Sequence, residues 1–385
     1  MKVLHLTTHL NSGGITTYIL KLVKPLRELG IEISVASSGG TGSPLFQEAG
    51  AQTHKLDIRT KSELHPKLYL ALPSLVRLIR EKQIDLIHAH TRVTQVLAFW
   101  IQKIHKIPVV TTCHGFYQRR LGRRLNPAWG DCVIAISEGV EEHLLRDFHV
   151  PQSKARMIHN GVDIEALDKA YARHSPELAK VSYGFGPKDF VIGNVARLVA
   201  DKGQEYLLRA VSELKQDLPS LRLLIVGDGR DRDHLARLAK KLKLENRVVF
   251  TGTVQDVTKP LAAMDLFVFP ATWREGFGLS IIEAMACRKP IVATKIWNLS
   301  SLIQNGVTGI LVEPKRIDIL VSAISRLAKD PAWCQRLGLE GRKVVEQMFT
   351  IQRMAQEIAG VYKKISSSSP AQFPYQEREF RVDRT

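Results

Sequence analysis

Residues 189–229, DFVIGNVARLVADKGQEYLLRAVSELKQDLPSLRLLIVGDG, decide the fold class. DFVIGNVA is a short apolar run of the kind buried in a sheet, the stretch near 203–217 carries apolar residues at helical spacing, and RLLIVGDG is a second buried run. A strand, a helix and a strand in that order form one unit of a parallel sheet, because a parallel neighbour is reached only by a crossover. The alternation continues through a helix near 231–243, RVVFTG, DLFVFP, a helix near 280–287 and PIVAT. It also runs earlier in the chain: VLHLTT, a helix at 15–29, EISVAS, a helix near 68–82, DLIHAH, a helix near 93–105, PVVTTCHG and CVIAIS. Pro25 falls inside the first helical stretch and is expected to kink or shorten it.

Two such series predict an α/β protein of two Rossmann-like domains facing across a cleft. The expected divisions are 1–165, a polar linker at 166–187, and a second domain at 188–347. Helices near 331–346 and 350–365 close the globular part, the second returning to the N-terminal domain, and 366–385 has the composition of a mobile tail. A length of 385 residues exceeds what one core comfortably supports.

Composition narrows the function classes. Fifty-five Lys and Arg against thirty-eight Asp and Glu leave a net charge of +17, which suits anionic partners. Cys113, Cys132, Cys287 and Cys334 are scattered without CxxC spacing, which argues against a disulfide framework and a zinc site. No apolar run reaches the roughly 20 residues of a spanning helix. MKVLHLTTHL reads as a buried strand rather than a leader, so the expected place is the cytoplasm.

Three segments carry candidate chemistry. Gly13 and Gly14 stand between the first strand and first helix, where bare backbone approaches an anion at a helix N-terminus. A full G-x-G-x-x-G is absent, which speaks against a dinucleotide and a nicotinamide-dependent dehydrogenase. Arg197 and Lys202 follow the strand DFVIGNVA, at the sheet edge where such folds bind ligands, and two cations there suit a pyrophosphate. In REGFGLSIIEAMA, Glu275 precedes the turn Gly276, Phe277, Gly278, and the amides of Leu279 and Ser280 open the next helix. Glu283 lies on that helix, where Ser280 and Glu283 also have the spacing of a capping box.

E-G-F-G-L-x-x-x-E resembles the E-x7-E motif of family 4 of the glycosyltransferases, enzymes of the GT-B fold. GG at 13–14, CHG at 113–115, HNGVD at 159–163, ARLVADKG at 196–203, VGDG at 226–229 and RVVFTG at 247–252 accompany it in family order. The resemblance implies a retaining enzyme that moves a sugar from a nucleoside-diphosphate sugar, a UDP-hexose by family frequency, onto a glycan or glycolipid. It assigns Gly13, Gly14, Arg197 and Lys202 to the donor phosphates, which the amides of Leu279 and Ser280 also face by their place at the helix start, and His114 and Glu275, with the turn Gly276, Phe277 and Gly278, to the transferred sugar. Glu283 falls to the ribose, and Val254, beside Thr253, to the base. His114 and Glu275 are the catalytic candidates. The nucleotide-sugar is a substrate, and no cofactor or metal is implied. In KIWNLSSLIQNG the chain departs from the family: Trp297, Asn298 and Ser301 stand where Gly-Gly and Glu are common.

From Leu86 to Gly130 no acidic residue occurs, while cations including Arg119, Arg120, Arg123 and Arg124 interleave with Phe99, Trp100, Phe116, Tyr117 and Trp129. That pattern suits a glycolipid acceptor or an anionic membrane surface, and predicts a peripheral position on the cytoplasmic face. A solvated basic face over core aromatics is the plainer alternative. Asp231 and Asp233 form a D-x-D at a helix start, where acidic residues are favoured anyway. His88 and His90 alternate on one strand with no third metal ligand evident in the sequence. A nucleotide-sugar epimerase, a sugar phosphorylase and a non-catalytic binder of anionic ligands remain alternatives on the same fold. A nucleic-acid-binding role rests on net charge alone, without a recognisable motif.

Overall fold

The structure, a computed structural model, describes residues 1–11, 13–60, 62–119 and 121–368. Arg120 and the stretch 369–385 therefore lie outside the described residues.

The first parallel sheet holds β1 (Lys2–Leu6), β2 (Glu32–Ser37), β3 (Gln52–Lys55), β4 (Leu86–Ala89), β5 (Val109–Cys113), β6 (Cys132–Ala135) and β7 (Ala155–Met157), in the order β3-β2-β1-β4-β5-β6-β7. The second holds β8 (Phe190–Val195), β9 (Leu221–Val226), β10 (Val248–Gly252), β11 (Leu266–Phe269), β12 (Ile291–Thr294) and β13 (Ile310–Val312), in the order β10-β9-β8-β11-β12-β13. The central strands are covered on both faces, which is why β1, β4, β5, β6 and β11 read as nearly unbroken buried runs.

In each sheet the chain order reverses once, between β1 and β4 and between β8 and β11. Loops leaving the carboxyl ends of such a pair diverge and open a crevice, the general ligand position of doubly wound sheets. The loops after β1, β4 and β5 carry Gly13, His90 and His114, and those after β8 and β11 carry Arg197, Lys202 and Glu275. The register of β1 against β4 places His5 opposite His88.

Two long helices, Pro331–Met348 and Ile351–Ser368, end the described chain. Tyr362 on the second is wholly buried and lies 2.6 Å from His88 Nδ1 of the N-terminal sheet. On the first, buried Arg342 donates to both carboxylate oxygens of Asp168 at 2.7 Å and to the carbonyl of Ala286 at 2.6 Å. The segment 166–187 thus contains parts of two helices, Ile164–Tyr171 and Pro176–Ser182, fastened to the C-terminal domain.

Some local expectations are corrected. The first helix runs Gly14–Glu28 through Pro25, so the proline does not shorten it. The final helix reaches Ser368, so 366–368 are helical rather than tail. The helix near 68–82 is two, Pro66–Leu70 and Leu72–Lys82.

Candidate active site

A cleft of about 900 Å³ separates the two sheets' carboxyl edges. Gly13, Gly14, Lys21, His90 and His114 line it from the N-terminal domain, and Arg197, Lys202 and the run Trp273–Leu279 from the C-terminal one. Ser280, Glu283 and Val254 are not among the lining residues, and Val254 packs against the core.

Two helix N-termini open on this space. Gly13 precedes the first helix and Gly278 precedes the helix Leu279–Ala286, neither with a side-chain cap, and neither helix has an acidic residue in its first turn. Uncapped amides and the helix dipole both favour an anion. Gly278 sits at φ 93°, which is left-handed, so a side chain there would strain the turn that presents these amides. Because the helix begins at Leu279 with Gly278 as its cap, Ser280 and Glu283 do not form the capping box their spacing allows.

Buried amides brace the loop that carries the cations. Asn194 donates to Val268 O at 2.8 Å, and Gln204 Nε2 donates to Asn194 Oδ1 at 3.2 Å and to the carbonyl of Arg197 at 3.1 Å. Arg197 itself is exposed into the cleft. Lys202 pairs directly with Glu275, and its ammonium lies 5.6 Å from the centre of the Phe269 ring.

Glu275 Oε1 also accepts from the amide of Gly276 at 3.0 Å. The turn is held from both domains: Ser137 Oγ donates to Gly276 O at 2.6 Å, and Asn298 Nδ2 donates to Glu275 O at 2.5 Å and Gly276 O at 3.2 Å. Asn298 Oδ1 in turn accepts from the amide of Gly139 at 2.7 Å. The segment that departs from the family pattern therefore supplies a cross-domain tie at the motif glutamate. Ser301 donates to Glu138 at 3.1 Å, and a bond from His159 holds the Glu138 carboxyl down at about 2.

His114 is half-buried, with Nε2 3.2 Å from His90 Nδ1 and its ring edge-on to Tyr18 at 4.7 Å. Burial lowers its pKa to about 3, so the imidazole is neutral at neutral pH. Across the cleft, a Cβ placed on Gly276 would stand 3.2 Å from the carbonyl of His114, which shows how closely the two walls approach.

Several site residues escaped the sequence reading. Lys21, two turns into the first helix, ion-pairs with Glu283 at 3.0 Å; its place on the face of Gly14 and Tyr18 at helical spacing was the available signal. Asn160 Oδ1 is buried, belongs to a cleft-lining residue and has no hydrogen-bond partner among the described residues, which leaves it for a bound substrate. His5 joins His88 and His90 as a third imidazole, the ligand atoms lying within 4.8 Å of one another. Both nitrogens of His88 are already engaged, by Tyr362 at 2.6 Å and Thr112 at 2.7 Å, so the three do not converge as a set of free ligands.

The basic stretch divides. Arg123 is 6% exposed, with its guanidinium 4.1 Å from the centre of the Tyr117 ring and 5.0 Å from that of Trp129, so it is interior rather than a surface contact. Arg119 is exposed and pairs with Asp147 at 2.7 Å, and Arg124 is exposed.

Two parallel-sheet domains facing across a cleft lined with cations and helix N-termini define the GT-B class of glycosyltransferases. Residues 177–344 match the family described as Glycosyl transferases group 1, and residues 12–166 match Glycosyltransferase Family 4. The chain belongs to this family and is a glycosyltransferase. It is 27% identical over 310 residues, 74% of this chain and 79% of the relative, to the UDP-Gal:alpha-D-GlcNAc-diphosphoundecaprenol alpha-1,3-galactosyltransferase of Escherichia coli. To the N-acetyl-alpha-D-glucosaminyl L-malate synthase of Bacillus anthracis it is 25% identical over 372 residues, 93% of this chain and 95% of that one. Among solved structures, Anabaena Alr3699/HepE in complex with UDP-glucose superposes with a TM-score of 0.79 at 25% identity, covering 94% of this chain and all of that one (100%).

Proposed function

We propose that the protein transfers a hexose from a UDP-sugar, with retention of anomeric configuration, onto a glycan or glycolipid of the cell envelope. The observation that carries this reading is the convergence of Arg197, Lys202 and two uncapped helix N-termini on a cleft whose other residues include His114 and Glu275. A relative named for UDP-Gal and diphosphoundecaprenol and a structural neighbour holding UDP-glucose support the donor and acceptor classes.

Departure of the nucleoside diphosphate builds charge on its β-phosphate while the sugar carbon becomes cationic. Arg197, Lys202 and the amide of Leu279 stabilise the leaving group as that charge develops. Glu275 faces the sugar, and neutral His114 bonds to it without adding positive charge beside the cationic carbon. The leaving phosphate takes the acceptor proton, so this route asks for no side-chain base. With two protein cations at the diphosphate, transfer is expected to proceed without an added metal ion.

The acceptor reading is supported by a surface of the N-terminal domain. Leu64, Leu70, Trp100, Ile104, Leu121 and Leu125 are exposed there. Arg92 joins their segments, pairing with Glu63 and donating to Gly122 O at 3.2 Å and Asn126 O at 2.6 Å, and Tyr69 lies 6.4 Å from Trp100. Exposed Lys103 and Arg124 belong to the same segments, a mixture that suits an anionic lipid surface. Among the described residues no helix is long and apolar enough to cross a membrane.

A thermal-shift titration against nucleoside diphosphates and their sugars tests the donor class, since a ligand bound only by the folded state raises the melting temperature. A selective shift with UDP and one UDP-sugar is expected, followed by transfer with the donor's anomeric configuration kept in the product. A shift with another nucleotide alone, or an inverted product, overturns the corresponding part.

A further inference from the structure

Behind His114 the structure holds a continuous line of hydrogen-bonding groups that the proposed chemistry does not itself use. His90 Nδ1 lies 3.2 Å from His114 Nε2, and His90 Nε2 lies 2.9 Å from His5 Nδ1. His5 Nε2 lies 3.4 Å from the Tyr362 hydroxyl, which is 2.6 Å from His88 Nδ1, and His88 Nε2 lies 2.7 Å from Thr112 Oγ1. His5, His88, His90, Thr112 and Tyr362 are each 0% exposed, so no water competes for these bonds.

We infer that His5, His90 and Tyr362 are positioning residues that set which nitrogen of His114 carries its proton, and thereby what His114 offers the donor sugar. The inference rests on the reading of His114 as a group beside that sugar. Its logic is donor counting: a neutral imidazole has one N–H and one lone pair, and a hydroxyl has one hydrogen. His5, His88 and His90 each use both nitrogens within the line, so a proton fixed on one imidazole fixes those bonded directly to it, and the Tyr362 hydroxyl passes the direction on when its hydrogen is used in the line. Only two patterns satisfy every bond and also use the Tyr362 hydrogen within the line. In one, Thr112 donates to His88, His88 to Tyr362, Tyr362 to His5, His5 to His90 and His90 to His114, which leaves His114 Nδ1–H as a donor toward the sugar. In the other, every bond is reversed and His114 Nδ1 is an acceptor. A mixed pattern sets a buried donor against a donor or an acceptor against an acceptor or, where Tyr362 accepts from both His5 and His88, leaves its own hydrogen unbonded, and the desolvated groups cannot turn to water for relief.

The geometry supports coupling over mere packing. His5 and His90 are stacked at an interplanar angle of 8°, and Tyr18 meets His114 edge-on at 86°, so the rings have little freedom to escape the line by rotation. Burial holds His5 at about 3 and His90 well below its ordinary value, which keeps the members neutral, the state that the counting requires. Tyr362 arrives on the final helix, so the far end of the chain reaches the cleft through three imidazoles.

Tyr362→Phe and His90→Gln test the line, read by long-range proton–nitrogen spectra of protein labelled with ¹⁵N-histidine. Tyr362→Phe removes one hydroxyl and is expected to change the balance of the Nδ1 and Nε2 shifts of His114, although two rings separate them. Transfer kcat should fall about tenfold in both variants while the affinity for UDP, measured by calorimetry, stays within twofold. Unaltered His114 shifts in Tyr362→Phe, or full kcat in both variants, would overturn the inference. The spectra need no turnover, so a wild-type protein that transfers no sugar defeats the functional reading and leaves the tautomer test intact. Should His90→Gln fail to fold, Tyr362→Phe and the wild-type spectrum still decide it, since a His114 with averaged shifts in wild type also overturns it.

Discussion

Lys21 on the first helix and Glu283 on the helix after the Gly-Phe-Gly turn meet between the two domains, ammonium to carboxylate at 3.0 Å. One residue belongs to each domain and Lys21 lines the cleft, so the pair ties the domains beside the space in which a donor must fit.

If Glu283 takes the ribose hydroxyls, a bound nucleotide displaces Lys21. Glu283→Gln should then weaken UDP binding by about 1.5–3 kcal/mol, the scale of a hydrogen bond to a charged group. Lys21→Met should bind UDP at least as tightly as wild type. Calorimetry on both variants checks this, and a loss above tenfold in Lys21→Met would place Lys21 on the phosphates instead. Because the pair is partly solvated, its removal should cost the unliganded protein less than about 1 kcal/mol.

The pairing of Lys202 with Glu275 gives a second contrast. Lys202→Ala should weaken UDP binding by roughly 1.5–3 kcal/mol, because a charge-assisted bond to phosphate is lost. Glu275→Ala frees Lys202, so UDP should bind as well or better while transfer falls on the order of 100-fold. Equal losses of binding in both variants would show that Glu275 acts only by holding the lysine.

The sequence displayed the centre of each sheet and the edge strand β10, and concealed the other three edges. β3, β7 and β13 escaped the reading, and all three are edge strands: QTHK is short and polar, and ARM and ILV have only three residues each. Edge strands are half solvated and need no buried run to pair. Among the residues that line the cleft, Gly13, Gly14, Arg197, Lys202 and Glu275 were legible because they fall in loops after predicted strands, at the sheet edge where doubly wound folds bind ligands. Lys21, Asn298 and His5 were not, since their roles come from partners 262, 159 and 85 residues away, at Glu283, Gly139 and His90. Arg123 was misread for a similar reason: the aromatics that enclose it, Tyr117, Trp129 and Phe148, are gathered only by folding.

The buried histidines set the acid limit of the fold. His5 and His114 are held at about 3, and His88 and His90 well below 6.5, all chiefly by burial. In the unfolded chain each binds a proton near pH 6.5, so below that value the unfolded state holds more protons and stability falls as pH falls. Each fully buried ring contributes a slope of about 1.4 kcal/mol per pH unit from 6.5 toward its folded pKa. Melting temperature should therefore drop steeply between pH 6.5 and 5, above the range where ordinary carboxylates titrate. A flat profile over that interval would mean the rings are protonated in the folded protein.

The divided basic stretch permits a clean separation of fold from surface. Arg123 packs on Tyr117 and Trp129 and donates to Gln95 Oε1 at 3.3 Å, whereas Arg124, Leu121 and Leu125 on the same short helix face outward. Arg123→Ala removes a desolvated cation from three rings and should cost about 2–4 kcal/mol of stability, read as a lowered denaturation midpoint. The triple change Leu121→Ser, Arg124→Ser, Leu125→Ser removes exposed groups only and should leave that midpoint within about 0.5 kcal/mol. Sedimentation with vesicles of anionic phospholipid should show the reverse order, with the triple variant losing most of its association at low salt. If the triple variant sediments as wild type does, the exposed leucines and Arg124 are not the membrane contact, and the acceptor must reach the cleft by another face.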